Sequence, residues 1–259
     1  MYLSKILETQ AEEIKARKLG RPWSSLAGEI EEQSTTGRFR QAVDASDFAI
    51  VAEFKRASPS KGLLAPDLVV EKVAVDYEKY GAAALSILTE RQFFQGSLTD
   101  LRTAATIVTI PILMKDFIID PYQILEAKWA GASAILLIIA SLAPGQAEEL
   151  ASCTREMGLD LVVEIYSEEE LAQARELKAD IIQINNRDLH SFQVSLEVTY
   201  RLFPLVGKES LVISASGIKS RKDLLALKKL GVNGVLVGES LVIADDPGKK
   251  LSLLLGEKE

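Results

Sequence analysis

Short apolar runs alternate with longer amphipathic segments from residue 50 to the end of the chain. Eight of these runs are apolar nearly throughout, a pattern typical of strands that are buried on both faces of a parallel sheet. They are IVAEFK at 50, ALSIL at 84, PILMK at 111, AILLII at 134, DLVVEI at 160, IIQIN at 181, LVISA at 211 and GVLVG at 234. The segments between them predict helices that cover the sheet.

Glycines mark the ends of several predicted helices. Gly81, Gly131, Gly158 and Gly231 each stand just before the next strand, where glycine permits the left-handed conformation that ends a helix. Eight strand–helix units with short connections predict one closed barrel, because an open doubly wound sheet would need a change of winding direction that nothing in the sequence marks. We therefore expect an α/β fold of the (β/α)8 TIM-barrel class with an N-terminal helical extension.

The extension comprises residues 1–47, and the barrel comprises residues 48–259. Together they are expected to form a single domain spanning residues 1–259. The extension is predicted to form one or two helices with an apolar stripe made by Leu3, Ile6, Leu7 and Ile14. Such a segment either covers the bottom of the barrel or forms a lid over its mouth, and the pattern does not choose between them.

The composition excludes several classes of protein. The chain has 259 residues, of which 47% are hydrophobic and 26% charged, so it is unlike a disordered, collagen-like or disulfide-rich protein. Its net charge of -7 argues against broad electrostatic binding to nucleic acid or to an anionic membrane. Cys153 is the only cysteine, so no intrachain disulfide and no cysteine-based zinc site can form.

Membrane insertion and secretion are not expected either. No apolar run approaches the roughly 18 to 20 residues of a membrane span. The first residues alternate charged and apolar side chains, unlike the apolar core of a signal peptide. We therefore expect a cytoplasmic protein with no nucleic-acid or membrane partner.

Charged residues interrupt the predicted strands near their carboxyl ends, where a barrel carries its active site. Glu53 and Lys55 lie two positions apart in the first strand, so both face the same side. Lys115 ends the third strand, and Glu164 lies near the end of the fifth. These residues either form ion pairs in a polar layer or act as a general acid and base, since burial lowers the pKa of a lysine and raises that of a glutamate. A Schiff base on a lysine is the competing use.

A metal centre and a hydrolase triad are not predicted. The only histidine, His190, follows Asp188 in a loop, which makes a Ser-His-Asp triad or a histidine-rich metal site improbable. Asp116, Asp188 and Glu90 stand on different loops, and each has a simpler role as a salt-bridge or turn partner than as a magnesium ligand.

The last two strands end in glycine-containing loops, Ser216-Gly217 and Gly238-Glu239. In barrels, these two loops frequently hold a phosphate group, although ordinary turn chemistry also accounts for the glycines. Phe93 and Phe94 follow the second strand, and Phe117 follows Lys115. Core or loop packing is their default role, but beside a phosphate site they could clasp a planar ring. The combination suggests a substrate with an anionic tail and an aromatic head.

Seven segments give the chain a resemblance to a known family along nearly its whole length. They are IVAEFKRASPSKG at 50–62, LSILTERQFFQGS at 85–97, PILMKDFIID at 111–120, LVVEIYSEEEL at 161–171, INNRDL at 184–189, SGIKS at 216–220 and GVNGVLVGESL at 231–241. In this order and at these spacings, the sequence resembles the indole-3-glycerol phosphate synthase family. The resemblance implies action on 1-(2-carboxyphenylamino)-1-deoxyribulose 5-phosphate, with closure of a pyrrole ring and loss of carbon dioxide and water.

The resemblance also implies roles for individual residues. Lys115 would act as general acid on the ketone, and Glu164 would act as base in the dehydration. Glu53 and Lys55 would bind substrate and transfer protons, while Asn185 would orient the site. The residues expected to bind the rest of the substrate are Ser58, Phe94, Phe117, Arg187 and Ser216, with the phosphate on backbone amides of Gly217, Gly238 and Glu239.

No cofactor and no metal follow from this chemistry, and the only partner expected is a small phosphosugar that carries an anthranilate ring. The oligomeric state is left open between a monomer and a weak dimer.

One position departs from the family pattern. The family usually has glutamate before Ser-Gly-Ile at the end of the seventh strand, whereas this chain has Ala215. A reduced rate of turnover is therefore expected. The alternatives are a weakened paralogue or altered variant that binds the phosphosugar, or another phosphosugar barrel enzyme such as an isomerase.

Overall fold

The computed structural model describes residues 2–30, 36–143, 145–189 and 191–256. Within these residues, eight parallel strands close into a barrel in which the first strand pairs with both the second and the last. In chain order they are β1 (Ala49–Phe54), β2 (Ala84–Leu88), β3 (Ile112–Lys115), β4 (Ala134–Ile138), β5 (Asp160–Ile165), β6 (Ile181–Asn185), β7 (Leu211–Ala215) and β8 (Gly234–Val237). The predicted TIM-barrel fold is confirmed, since each apolar run forms a barrel strand.

Helices surround the barrel and alternate with its strands. In the described residues they are α1 (Tyr2–Gly20), α2 (Trp23–Ala27), α3 (Arg38–Asp44), α4 (Val70–Lys79), α5 (Leu98–Ile107), α6 (Pro121–Ala130), α7 (Gln146–Glu156), α8 (Glu168–Glu176), α9 (Glu197–Val206), α10 (Arg221–Leu230), α11 (Glu239–Val242) and α12 (Pro247–Leu255). The four glycines predicted to end helices all have positive φ. None of the helices in the described part of the chain is long and apolar enough to cross a membrane.

The strand register stacks the inward-facing side chains in layers. Following the parallel pairs around the barrel places residues of alternate strands at the same height. Of the layers formed by the odd-numbered strands, the one nearest the carboxyl ends holds Glu53, Lys115, Glu164 and Ala215, and we call it the charged layer. The layer directly beneath it, which we call the second layer, holds Ser86, Leu136, Gln183 and Leu236. Titratable side chains from non-neighbouring strands are thereby brought to one end of the barrel.

The N-terminal extension contains three helices in its described residues, so the expectation of one or two was wrong. The additional helix, α2, has only five residues, too short to show a helical apolar period in the sequence.

The extension contributes to both ends of the barrel, through different helices. Phe39 and Val43 of α3 are buried against Ala49 and Ala84, the first residues of β1 and β2, so α3 closes the bottom of the barrel. Asp160, at the start of β5, accepts hydrogen bonds from the backbone of Gly37 at 2.7 Å and of Arg40 at 2.9 Å. At the opposite end, the first turns of α1 lie beside the barrel mouth.

Candidate active site

A cavity of about 800 Å³ opens at the carboxyl ends of the barrel strands. All of the residues that the family resemblance assigns to the site line this cavity. They are Glu53, Lys55, Ser58, Phe94, Lys115, Phe117, Glu164, Asn185, Arg187, Ser216, Gly217, Gly238 and Glu239. Residues of α1 that the sequence did not single out as site residues, namely Tyr2, Leu3 and Ile6, also line it.

The first charged pair is formed within β1 and the residue that follows it. The ammonium of Lys55 donates to Oε1 of Glu53 at 2.6 Å, and Glu53 is only 3% exposed. A side chain at Gly238 would collide with this carboxylate, because a Cβ atom there would lie 2.2 Å from Glu53 Oε1. Gly238 has a negative φ, so the space occupied by Glu53, and not backbone conformation, requires glycine at this position.

The second charged pair joins β3 to β5. Lys115 Nζ lies 3.4 Å from Oε2 of Glu164, whose side chain is almost fully buried. Asn185 of β6 donates to Oε1 of Glu164 at 2.8 Å and accepts a hydrogen bond from the Ser216 hydroxyl at 2.9 Å. The carboxylate is therefore fixed by an amide, while the lysine makes a longer contact and faces the cavity.

Gln183 is a residue of this network that the sequence reasoning missed. Its side-chain amide donates to Oε2 of Glu164, directly across the β5–β6 pair. The only signal in the sequence is a single polar residue within the apolar run IIQIN. Gln183 precedes the carboxyl end of its strand, where the site residues of a barrel are expected, so this signal does not point to the site.

The loops after β7 and β8, which the sequence predicts to bind phosphate, form one side of the cavity mouth. Ser216 and Gly217 both have positive φ, 69° and 85°, so the backbone turns sharply after β7. Arg187 spans the mouth, with one guanidinium nitrogen 3.2 Å from the Ser60 hydroxyl and another 3.3 Å from the Glu239 carboxylate. Three lysines that the sequence reasoning did not single out also line the cavity: Lys61, Lys219 and Lys250. This rim carries positive charge that suits an anionic group.

Two aromatic rings flank the other side of the cavity. The centroids of Phe94 and Phe117 are 6.2 Å apart, with 41° between the ring planes. Glu90 accepts a hydrogen bond from the backbone N–H of Phe94 at 2.9 Å, and burial raises the pKa of this carboxyl. Phe93 does not line the cavity, so of the two consecutive phenylalanines only Phe94 is positioned to meet a ligand there.

Asp116 follows Lys115 and belongs to a buried polar cluster beside the cavity. Its carboxylate accepts hydrogen bonds from Gln10 of α1, from the Thr89 hydroxyl at 2.6 Å and from the backbone of Phe117 at 2.8 Å. Burial raises the pKa of Asp116 to about 6. This arrangement ties α1 to the end of β3.

The acidic residues weighed as magnesium ligands have protein partners instead. Glu90 and Asp116 accept the hydrogen bonds described above, and Asp188 accepts one from the backbone of Ser191 at 2.7 Å. Among the described residues, no group of three or more His, Cys, Asp or Glu side chains could hold a metal ion. His190 lies outside the described residues.

Ala215 occupies the fourth position of the charged layer. It is buried, lines the cavity and pairs in the strand register with Asn185 and Leu236. The cavity floor at β7 is therefore apolar, whereas the three other strands that contribute to this layer present charged groups.

Comparisons with known proteins give a family match along nearly the whole chain. Residues 3–254 match the family model described as Indole-3-glycerol phosphate synthase. The chain is 42% identical to the indole-3-glycerol phosphate synthase of Carboxydothermus hydrogenoformans, a match that covers 98% of this chain and 100% of that relative. It is 41% identical to the protein of the same name from Alkaliphilus metalliredigens, with 97% of each chain covered.

Solved structures of lower sequence identity share the fold. A thiamine phosphate pyrophosphorylase from Pyrococcus furiosus aligns with a TM-score of 0.62 at 18% identity, covering 83% of this chain and 95% of that one. A mutant tryptophan synthase alpha-subunit from the same organism aligns with a TM-score of 0.63 at 17% identity, covering 81% and 98%. At these identities, the likeness shows the barrel alone.

Proposed function

The chain belongs to the indole-3-glycerol phosphate synthase family, and we propose that its Lys115–Glu164 pair performs the proton transfers of that reaction. The enzyme is a carbon–carbon lyase of tryptophan biosynthesis, and its substrate is 1-(2-carboxyphenylamino)-1-deoxyribulose 5-phosphate. The observation that carries the proposal is that the Lys115 ammonium and the Glu164 carboxylate, from non-neighbouring strands, lie 3.4 Å apart in one cavity. The same cavity is lined by the loops after β7 and β8 and by two aromatic rings.

Lys115 acts in the first step, ring closure. The carboxylate-bearing carbon of the anthranilate ring attacks the ketone carbon, and the ketone oxygen gains an electron pair and needs a proton. The Lys115 ammonium, at the end of β3 and lining the cavity, donates that proton. Loss of carbon dioxide then returns the bonding pair to the ring and restores its aromaticity.

Glu164 acts in the final step, dehydration. It removes a proton from the carbon next to nitrogen, the new double bond forms, and the former ketone oxygen leaves as water after receiving a second proton. Glu53 and Lys55, 2.6 Å apart on the same cavity wall, are suited to supply and return protons during these steps. The overall change involves no net oxidation or reduction, so the reaction requires no redox cofactor.

The remaining residues position the substrate. Phe94 and Phe117 flank the anthranilate ring, since their rings line the same side of the cavity. The phosphate binds backbone amides in the loops that contain Gly217, Gly238 and Glu239. The side chains assigned to bind the ketose between these two ends are Ser58, Asn185, Arg187 and Ser216.

The test is a continuous fluorescence assay of indole formation with the purified protein and this substrate. Wild-type protein is expected to turn over, and Lys115→Ala is expected to lose at least about 100-fold in kcat, the usual contribution of a general acid. Phosphate binding, measured by inorganic phosphate inhibition or titration, is expected to survive the substitution. Undiminished product formation by Lys115→Ala would remove this lysine from its assigned role.

A further inference from the structure

We propose that Gln183 is a positioning residue that holds the carboxylate of Glu164 in the geometry needed for proton removal. The inference rests on the role of Glu164 proposed above and adds a residue that none of the sequence motifs includes. Its basis is that two side-chain amides of β6, those of Gln183 and Asn185, donate hydrogen bonds to the two carboxylate oxygens of Glu164 on β5.

The contact follows from the strand register. Gln183 of β6 is the direct partner of Glu164 of β5, and both side chains face the barrel interior. Its amide nitrogen donates to Oε2 of Glu164, while Asn185, two residues further along β6, donates to Oε1 at 2.8 Å. The two donors therefore restrict rotation of the carboxylate group about its terminal bond.

Burial separates the role of Gln183 from that of Asn185. Asn185 lines the cavity, whereas Gln183 is 0% exposed, lies in the second layer and is not among the cavity-lining residues. It cannot touch a substrate bound in the cavity without rearrangement of the charged layer above it. Gln183 therefore reaches the proposed chemistry through its hydrogen bond to Glu164 and not through contact with the substrate.

The orientation of the Gln183 amide is set by Glu164. A carboxylate accepts hydrogen bonds and cannot donate them, so the amide nitrogen must face it. The amide oxygen then has no partner among the described residues. The hydrogen bond from the Gln183 nitrogen to Glu164 is therefore kept although the Gln183 oxygen stays unpaired. This is expected if Gln183 serves to hold the Glu164 carboxylate.

The charged layer offers no substitute for this support. Its fourth member, Ala215, has no polar side chain, and Lys115 approaches the same Oε2 atom only to 3.4 Å. Without Gln183, that oxygen would keep a single long contact to a lysine whose proposed task is to give up a proton. A misplaced base lowers the rate of proton transfer more than it weakens substrate binding.

Gln183→Met tests the proposal, because methionine has a similar length and no hydrogen-bond donor. We expect kcat to fall about 10-fold to 100-fold, with KM within about twofold of wild type. Affinity for the product, indole-3-glycerol phosphate, measured by fluorescence titration, is expected to stay unchanged. The matched control is Ser86→Ala, in the same buried layer, whose hydroxyl has no hydrogen-bond partner among the described residues. Its kcat is expected to stay within about twofold of wild type.

A double-mutant cycle distinguishes positioning from general support of the fold. In a Glu164→Gln background, which lacks the carboxylate base, Gln183→Met should lower kcat little further. An equal loss in both backgrounds, a wild-type kcat for Gln183→Met, or an equal loss for Ser86→Ala would each overturn the inference. If Gln183→Met and Gln183→Leu both fail to fold by circular dichroism, Gln183 is a structural residue and the inference is wrong.

Failure of the earlier proposal has a different signature. A Glu164→Gln variant that retains the wild-type kcat would remove Glu164 as base, whatever Gln183 does. An impaired Glu164→Gln variant together with an unaffected Gln183→Met variant would leave the proposed role of Glu164 standing and overturn only the role of Gln183.

Discussion

Single residues on the barrel strands could be assigned to the cavity from alternation alone. Glu53 and Lys55 were expected to face together, and the structure places their charged groups 2.6 Å apart. Gln183 could not be found in this way, because its partner Glu164 lies on a neighbouring strand and the sequence contains no direct record of strand register. Site residues at strand ends are thus easier to predict from the sequence than residues of the second layer that hydrogen-bond to them.

The structure gives a reason for glycine at position 238 that the sequence does not reveal. The sequence favours a phosphate-binding loop, in which glycine lets an anion approach the backbone. The structure adds a steric reason, since the Glu53 carboxylate fills the space that a Cβ atom would need. Glycine at this position therefore serves the charged pair of β1 as well as the loop after β8.

Ala215 leads to a prediction about the rate. Ala215→Glu would add a carboxylate to the charged layer between Glu164 and Glu53, across the barrel from Lys115, and we expect kcat/KM for the carboxyphenylamino ketose phosphate to rise about tenfold or more. Ala215→Gln is the matched control, because it adds similar volume without charge and should not raise the rate. An unchanged or lower kcat/KM for Ala215→Glu would show that the alanine does not impair this enzyme.

Among the elements, α1 shows which buried residues the amphipathic pattern predicts and which it does not. Leu3, Ile6 and Ile14 are buried as the predicted stripe requires, whereas Leu7 is only partly buried. Gln10 is also buried, which the apolar stripe does not predict, because it donates to Asp116 at the end of β3. A polar contact between segments more than 100 residues apart carries no local signal in the sequence.

The burial of Asp116 predicts how the stability of the fold depends on pH. Burial raises the pKa of Asp116 from 3.8 to about 6, so the folded state holds this proton more tightly than the unfolded chain does. The group therefore favours folding at pH values below about 4, and this contribution is lost as the pH rises to about 6, on the order of 3 kcal/mol in total.

Asp116→Asn is expected to flatten the fall in the free energy of unfolding over that pH range, measured by urea denaturation. The amide can keep the bonds to Gln10 and Phe117 through its oxygen and can donate to Thr89. Asp67→Asn, at an exposed position, controls for the loss of one negative charge. Parallel pH curves for wild type and Asp116→Asn would contradict the prediction.

At the scale of the whole molecule, the extension and the barrel share a core. Phe39 of α3 is fully buried among the first residues of the barrel strands, and α1 reaches the opposite end, where Leu3 and Ile6 line the cavity. We therefore propose that residues 1–259 unfold as a single domain. The barrel itself was predictable because its pattern repeats eight times, whereas the positions of α1 and α3 depend on contacts that do not repeat.

Phe39→Ala tests this proposal. Removing a fully buried aromatic ring is expected to cost about 3–5 kcal/mol of the free energy of unfolding of the entire chain. Leu19→Ala, at a position on α1 that is 79% exposed, is the control and should change it by less than about 0.5 kcal/mol. Two separate unfolding transitions, or a loss confined to the extension, would contradict a single domain.

The charged layer divides the proposed chemistry between the two halves of the polypeptide. Glu53, Lys55 and Lys115 are synthesised before the midpoint of the chain, whereas Glu164 and the loops proposed to bind phosphate are synthesised after it. Because β1 must also wait for β8 before the barrel can close, a partly translated chain contains no smaller version of this site. The site can therefore be completed only after β8 has been synthesised, and we expect a chain truncated before β8 to be inactive as well as unstable.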